Sequence, residues 1–325
     1  MANQATRSVS EPKRHRVVVF NLRDAGTLFG LVAIAVVFSI LAPDFLMPHN
    51  LINILQQSSI NACVAIGMTL VIISGGIDLS VGPTAALSAV LTAMLLTAGV
   101  PLPISLLAGL CVGLFCGFVN GALIAFAGLQ PFIVTLGTLS LYRALALIFT
   151  GGNPILGLPN GFRHVLNSDI GIVPVPVIIV AVLAVIGWLI LRKAPLGEYI
   201  LAVGGNEEAA RVAGVPIART KIITYMLSGA LAFIAGIILI GRLGAAEPVL
   251  GNLWELDAIA ASAIGGASLM GGKGSIVGTL LGALVLGAMR NGLTLMDVQA
   301  FYQLLATGII IIAAMLVDRF TRGRV

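Results

Sequence analysis

Charged residues are scarce in this chain of 325 residues. Only 10% of them are Asp, Glu, Lys or Arg, against about 25% in an average soluble domain. In contrast, 58% are hydrophobic and the mean hydropathy is +1.08. A soluble fold does not have this composition, so the chain is predicted to lie in a lipid bilayer.

Residues that carry metal or nucleophilic chemistry are also few. The histidines lie in flanks and loops without partners at the helical spacing of a metal site. The cysteines fall in apolar runs and lack the paired spacing of a metal site or a disulfide framework, so they are predicted to be small packing residues. We expect no catalytic residue and no metal site, which disfavours a membrane enzyme. The residues in question are His15, His49, His164, Cys63, Cys111 and Cys116.

The stretch GASLMGGKGS does not match a nucleotide-binding loop. A Walker sequence requires Gly, four residues and then Gly-Lys-Ser/Thr. Here Gly274 stands where Ser or Thr is needed, and Ala267 stands where the first Gly is needed. We therefore expect the chain to bind no cofactor of its own and interpret Lys273 as a positive charge between two spans.

Long apolar runs predict an all-α integral membrane protein, a polytopic bundle of about ten transmembrane helices. Roughly 20 apolar residues are needed to cross a hydrocarbon core of about 30 Å. The predicted spans are Thr27–Ala42, Leu51–Ser74, Ser80–Ala98, Pro101–Ala127, Pro131–Gly151, Val173–Leu191, Ile217–Gly241, Leu253–Met270, Gly274–Asn291 and Gln299–Val317.

The basic residues set the predicted orientation. Under the positive-inside rule, the basic N-terminal tail lies in the cytoplasm, and an even number of spans returns the C-terminus to the same side. The predicted domains are a cytoplasmic tail (1–24), one transmembrane domain (25–318) with a cytoplasmic loop at about 192–221, and a second tail (319–325). The pI near 9.4 then reflects topology, and no nucleic-acid partner is expected. The basic residues of the first tail are Arg7, Lys13, Arg14, Arg16 and Arg23.

One polar loop, GEYILAVGGNEEAARVAGVPIARTK, separates two apolar runs. Within it Asn206 stands at an N-cap position, two acids follow, and Arg211 precedes Gly214, which can end the helix. The pattern predicts a short, capped helix outside the membrane, and it favours docking on a partner over a solvated connector. The residues assigned to this docking element are Gly204, Gly205, Asn206, Glu207, Glu208, Arg211 and Gly214.

Polar side chains inside the spans are candidates for a substrate path, because each is costly in hydrocarbon unless it faces protein or water. Asn53, Gln57 and Asn61 recur every four residues and form one amide stripe on a helix, with Gln56 beside it. Amides donate and accept hydrogen bonds, which suits an uncharged polyhydroxy ligand better than an ion. The alternative is that these amides only hold neighbouring helices together.

Asp78 in SGGIDLSVGP is a further substrate-path candidate. A charge at the bilayer centre costs about 2.5–3.5 kcal/mol, so Gly75, Gly76 and Pro83 are interpreted as a helix break. There Asp78 would meet water or cap the next helix, a role that is favoured over direct transport. Three other charged residues lie in or near spans without an assigned pairing: Arg143, Glu255 and Asp257. Arg143 is expected to reach outward or to pair with a buried acid or carbonyl, and the two acids either are its partners or face the extracellular entrance.

Two glycine stripes predict close helix packing. Glycine recurs every four residues in two spans, which creates a flat strip where another backbone can approach. The packing is interpreted as intramolecular, with a contact between subunits as the alternative. The stripes are Gly109, Gly113, Gly117 and Gly121, and Gly274, Gly278 and Gly282.

Three segments resemble the permease subunits of bacterial ABC sugar importers, the ribose permease family. They are NILQQSSINACVAIGMTLVIISGGIDLSVG, GEYILAVGGNEEAARVAGV and ELDAIAASAIGGASLMGGKGSIVGTLLGALVLGAMRNGL. The resemblance runs in order from about Asn50 to Asp318. It implies a homodimeric permease in the bacterial cytoplasmic (inner) membrane, with Gly204–Gly214 as the coupling helix and Glu207, Glu208 and Arg211 as charged docking contacts.

The resemblance also implies the partners and the activity. They are an ATPase with two fused nucleotide-binding domains, which would bind ATP and Mg, and a periplasmic or lipid-anchored sugar-binding protein. The implied function is ATP-driven import of a monosaccharide, ribose or a similar sugar, by alternating access. An ion-coupled secondary sugar transporter is the alternative, but the spans lack the clustered acids that ion coupling would need.

Overall fold

The computed structural model describes residues 22–322, with side chains described for residues 26–310 and 312. The predicted tails fall mostly outside the described residues, and so do His15 and the basic residues Arg7, Lys13, Arg14 and Arg16. The described elements are α1 (Leu22–Leu41), α2 (Pro48–Ile73), α3 (Val81–Thr97), α4 (Leu102–Phe126), α5 (Pro131–Thr150), α6 (Asn160–Asn167), β1 (Asp169–Ile170), β2 (Val173–Pro174), α7 (Val175–Lys193), α8 (Pro195–Gly205), α9 (Glu207–Val212), α10 (Ile217–Leu243), α11 (Trp254–Ile264), α12 (Ile276–Leu295) and α13 (Ala300–Arg322).

Long apolar helices dominate the described part of the chain. Six of them, α2, α4, α5, α7, α10 and α12, are long and apolar enough to cross a membrane. Shorter apolar stretches occur in α1 (26–41), α3 (81–97) and α13 (300–310). The only strands in the described residues are the antiparallel pair β1–β2. The predicted all-α, polytopic fold is confirmed.

The eighth predicted span is shorter than its apolar run suggests. The run extends over Leu253–Met270, but α11 has 11 residues and a length of about 16 Å, roughly half of a hydrocarbon core. The helix ends at Gly265, which packs so tightly against the backbone of Gly278 in α12 that a Cβ atom would overlap it. Gly266 then adopts a φ of +83°, and this left-handed conformation turns the chain out of the helix.

Helices α2, α10 and α12 form the centre of the bundle. In the most apolar window of each helix, 83% of α2, 67% of α12 and 61% of α10 is buried, against 28% in α4, α5 and α7. The last three therefore lie at the periphery, as helices that face lipid do. The predicted glycine stripe of α4 faces α10: a Cβ atom on Gly121 would lie 2.6 Å from Ile222 Cα, and one on Gly113 would lie 2.6 Å from Gly229 O.

The second glycine stripe also makes contacts within the chain. Gly274 lies against Ile73 at the end of α2, and Gly282 of α12 lies against Ala261 of α11. Gly278 of α12 contacts Gly265 after α11. These close approaches correspond to the intramolecular interpretation of the stripes, because each one joins two segments of the same chain, although Gly274 precedes α12 and lies in the α11–α12 link.

The length of α10 defines two ends of the bundle. The α9 end lies at Ile217, where α9 precedes α10. The α6 end lies at Leu243, where Leu166 of α6 packs on Gly241 and Asn167 Nδ2 donates a hydrogen bond to Gly241 O at 2.9 Å. The 27 residues of α10 separate these ends by about 40 Å.

Candidate coupling site and substrate cavity

The short helix α9 is built as its sequence predicts. Asn206 is the N-cap, and its side-chain oxygen accepts a hydrogen bond from Ala209 N at 2.9 Å. Gly214 follows the helix with a φ of +82°. The prediction of a short, capped helix is confirmed, and its most exposed apolar side chain is Val212, at 90% exposure.

Ion pairs divide the charged residues of α9 into two groups. Glu207 binds Lys221 of α10 at 2.7 Å and Arg211 at 3.3 Å. Glu208 makes only a long contact of 3.7 Å with Arg211, and its side chain is 81% exposed. Glu207 therefore fastens α9 to α10, whereas Glu208 and Arg211 remain on the surface.

Backbone contacts connect the base of α9 to two other parts of the bundle. Gly204 of α8 packs so closely on Ile73 at the end of α2 that a Cβ atom would overlap Ile73 O. Gly272 N donates a hydrogen bond to the same Ile73 O at 2.8 Å, and Gly271 lies against the Gly204 carbonyl. At Gly205, one residue further, a Cβ atom would point into open space. The end of α8, the end of α2 and the α11–α12 link therefore meet in one packed junction.

Asp78 lies in the predicted helix break between α2 and α3, and it is only 2% exposed. Its Oδ1 accepts hydrogen bonds from Ser80 N at 3.0 Å and Ser80 Oγ at 2.7 Å, while Oδ2 accepts one from Ser228 Oγ of α10 at 2.8 Å. Asn120 Nδ2 of α4 donates to Ser80 Oγ at 2.8 Å. The carboxylate closes the turn before α3 and links it to α10, whereas the N-cap position of α3 is held by Ser80 without a side-chain capping bond.

The amide stripe of α2 lies partly in a cavity near the α6 end. Gln57 and Asn61 line a space of about 200 Å³, whereas Asn53 and Gln56 do not. Asn53 is exposed and Gln56 is partly buried. The other residues that line the cavity are Ile60, Leu239, Arg242, Trp254, Gly287 and Arg290.

Of the charged residues left unassigned by the sequence, Arg143 and Asp257 have clear partners, and the two do not pair with each other. Arg290 of α12 forms a two-pronged ion pair with Asp257 of α11, in which Nη1 lies 2.8 Å from Oδ2 and Nη2 bonds Oδ1. Arg143 Nη1 instead donates to the carbonyls of Pro248 and Leu250, at 2.6 and 2.8 Å. It thereby holds the link between α10 and α11 against α5. Glu255 Oε2 is buried and has no hydrogen-bond partner among the described residues.

The polar and aromatic cavity residues Arg242, Trp254 and Arg290 belong to no pattern that the sequence singled out. One signal was available for Trp254, since it is one of only two tryptophans in the chain. Its assignment to a cavity still required the position of α11 relative to α2, which no local pattern encodes.

Metal-binding chemistry has no visible basis in the described residues. No group of three or more His, Cys, Asp or Glu side chains is placed to hold an ion there. Cys63 and Cys116 are buried, Cys111 is exposed, and all three are free thiols.

The helical bundle, the exposed capped helix and the polar cavity together define a multi-pass membrane transport protein. The chain belongs to the family described as "Branched-chain amino acid transport system / permease component", whose model matches residues 50–315. It is therefore a permease component, located in the inner membrane, and membership of an importer permease family implies a separate ATPase and a substrate-binding protein as partners.

Named relatives cover nearly the whole chain. Ribose import permease protein RbsC of Bacillus subtilis (strain 168) is 45% identical over 300 residues, covering 92% of this chain and 93% of the relative. RbsC of Escherichia coli (strain K12) is 43% identical over 306 residues, covering 91% and 94%. D-allose transport system permease protein AlsC of Escherichia coli (strain K12) is 39% identical over 296 residues, covering 90% and 91%. The predicted resemblance to sugar importer permeases is confirmed.

Proposed function

We propose that this chain forms the translocation path for a monosaccharide, ribose or a similar sugar, in an ATP-driven importer. The observation that carries the proposal is the similarity to permeases named for ribose and allose along about nine-tenths of the chain. Transport proceeds by alternating access and leaves the sugar chemically unchanged. The relatives differ in the sugar that they are named for, and ribose is the first candidate because the relatives with 43–45% identity carry that name.

In this proposal the permease works as a homodimer with two kinds of partner. An ATPase with tandem nucleotide-binding domains carries ATP and Mg, and a periplasmic or lipid-anchored binding protein delivers the sugar. The failed Walker match at Ala267 and Gly274 supports a separate ATPase. The ATPase can bias the permease between its states only if its contacts with those states differ.

The surface of α9 is the proposed contact with the ATPase. Glu208, Arg211 and Val212 are exposed and can enter a groove on the partner. Glu207 instead holds α9 against α10, because its carboxylate is already bound to Lys221 and Arg211. The packed junction at Gly204 and Ile73 would pass a displacement of α9 to the end of α2, since close-packed backbones cannot slide past one another without opening a void.

A pull-down from native membranes in mild detergent tests this assignment. The variant Glu208→Lys/Val212→Asp changes the exposed face of α9 and leaves the bond between Glu207 and Lys221 in place. We expect the amount of ATPase that co-purifies with the chain, measured by mass spectrometry, to fall about tenfold or more. The reason is that a few central contacts dominate the binding energy of an interface. The matched control is Asp169→Lys, a charge reversal at an exposed position in β1 near the α6 end, which should retain the ATPase.

Either of two results would contradict the proposal. If the α9 variant retains the ATPase at the wild-type level, α9 is not the coupling element. If no ATPase accompanies the wild-type chain under conditions that preserve other transporter complexes, ATP-driven import is wrong. Sugar uptake that stops when ion gradients collapse, and survives ATP depletion, would then favour an ion-coupled secondary transporter.

A further inference from the structure

The cavity near the α6 end lies within a single chain. Its residues come from α2, α10, α11 and α12. Its volume of about 200 Å³ is below the roughly 300–1,000 Å³ of pockets that hold drug-sized ligands. It equals the liquid volume of about seven waters at about 30 Å³ each, so it has room for one small sugar ring.

We propose that this cavity is a sugar-contact site inside each permease subunit, specific for a neutral monosaccharide, with Gln57, Asn61 and Trp254 as its contact residues. The inference rests on the proposed function and adds to it the site and the chemistry of recognition.

The amides of Gln57 and Asn61 are free to bind a ligand. Both side chains line the cavity, and neither makes a hydrogen bond or an ion pair to another described residue. Their free state weighs against the alternative that the amides only hold neighbouring helices together. An amide offers both a donor and an acceptor, which matches a sugar hydroxyl, since a hydroxyl also donates and accepts.

Trp254 supplies the apolar surface that a sugar ring needs. Its indole lies at the start of α11, is partly buried and lines the same cavity as the two amides. The electron-rich face of an aromatic ring attracts the slightly positive hydrogens on one face of a sugar ring. A site with one aromatic wall and nearby amides therefore suits a ligand that has both C–H and O–H groups.

The arginines complete the polar wall, and Asp257 orients one of them. The two-pronged bond to Asp257 fixes the guanidinium of Arg290, which is 29% exposed in its side chain. Arg242 also lines the cavity and forms no ion pair with any described residue. Its donor groups can bond hydroxyl oxygens in pairs. Asp257 is thus a positioning residue for Arg290. Its carboxylate is bound to that guanidinium and does not line the cavity.

Tryptophan fluorescence provides the test, because Trp188 and Trp254 are the two tryptophans of the chain. Trp188 lies on α7, packs against the core and does not line the cavity. The full chain carrying Trp188→Phe is purified in nanodiscs and titrated with D-ribose, D-allose and D-xylose. We expect a saturable change in the emission of Trp254 with at least one of these sugars. The chain carrying Trp254→Phe, which reports from Trp188 alone, should show none.

Two substitutions on α2 give a matched comparison in the Trp188→Phe background. Asn61→Ala removes an amide that lines the cavity, and the half-saturating sugar concentration should rise about three- to tenfold, the loss expected for one or two hydrogen bonds. Asn53→Ala removes an amide two helical turns away on the same face, outside the cavity. It should leave the half-saturating concentration unchanged.

Three outcomes would overturn the inference. They are the absence of a saturable Trp254 response to all three sugars, an equal response from Trp188, and equal effects of Asn53→Ala and Asn61→Ala. A stronger response to D-gluconate than to the three sugars would overturn the assignment to neutral ligands. If ATPase co-purification and sugar uptake persist while the titration fails, the proposed function stands and only this site is wrong.

Discussion

The two ends of the bundle are built from different chemical groups. At the α9 end, α8, α2 and the α11–α12 link meet through backbone atoms at Gly204, Ile73 and Gly272, with almost no side-chain volume between them. Near the α6 end, α2, α10, α11 and α12 surround a cavity whose lining includes polar and aromatic side chains such as Asn61 and Trp254. The first arrangement is suited to transmitting position, and the second is suited to recognising a small molecule.

This difference predicts opposite sensitivities. A junction made of close backbone contacts is sensitive to added volume, because nothing flexible can give way. A cavity is less sensitive to volume, but it depends on the charges and hydrogen bonds that keep its walls in place. Three substitutions separate these sensitivities, each measured as a free energy of unfolding by SDS titration in mixed micelles.

The largest effect is expected at Gly204. Replacing it with Ala adds a Cβ atom that overlaps Ile73 O and lies 2.8 Å from Gly272 N. Both of these are backbone atoms, so the helix ends must separate, and we expect a loss of about 3 kcal/mol, as for an overpacked core. Co-purification of the ATPase should fall as well, because α9 would lose its connection to α2.

The neighbouring glycine is the matched control. A Cβ atom on Gly205 has nothing within 4 Å, so Gly205→Ala should change the free energy of unfolding by less than about 1 kcal/mol. Any change should be stabilising, because alanine favours the helical last turn of α8 more than glycine does. Equal losses for both variants would mean that the helix end tolerates no methyl group at all. The junction with Ile73 would then not be the cause.

The sequence predicts the features of these ends that depend on neighbours along the chain. The apolar runs locate the long helices, and the cap at Asn206 follows from residues within four positions of it. The amide stripe follows from the helical repeat, although the repeat cannot say that Asn61 lines a cavity and Asn53 does not. Which of these amides lies in a cavity depends on which helix packs beside α2.

Contacts between distant segments could not be predicted in this way. The bond from Gly272 to Ile73 and the pairing of Asp257 with Arg290 depend on how separate helices cross. The shortness of α11 has a local cause: its apolar run continues to Met270, but Gly266 adopts a φ of +83° and turns the chain out of the helix after Gly265. Hydropathy records which residues avoid water, and it does not record which backbone they touch.

An intermediate effect is expected at Asp257, near the cavity. The Asp257→Ala change leaves the guanidinium of Arg290 partly buried without its carboxylate. Breaking a fully buried ion pair costs about 3–5 kcal/mol. Because the Arg290 side chain is 29% exposed, water can replace part of the interaction, and we expect a loss of about 2 kcal/mol.

A double substitution tests whether the lost charge pair is the cause. In Asp257→Ala/Arg290→Met no guanidinium is left without its partner, so much of the stability should return. Additive losses in the double variant would show that the two side chains contribute independently. The cavity wall would then not depend on their ion pair.

The smallest effect on stability is expected at Glu207, although it makes two ion pairs. Its side chain is 38% exposed, and that of its partner Lys221 is 16% exposed, so water screens this ion pair in part. The second partner, Arg211, is 59% exposed, so water screens that ion pair more strongly. Ion pairs of this kind contribute about 0–1 kcal/mol, and Glu207→Gln should cost less than about 1 kcal/mol. Glu208→Gln, with a long contact and an exposed side chain, should cost nothing measurable. The contrast with Asp257 comes from solvent exposure and from the kind of change, since Gln keeps an oxygen that can accept from Lys221 and Ala leaves no acceptor for Arg290. If Glu207→Gln were as destabilising as Asp257→Ala, the ion pairs of α9 would contribute to stability as much as a buried pair does. The α9 end would then depend on charged side chains as well as on backbone packing.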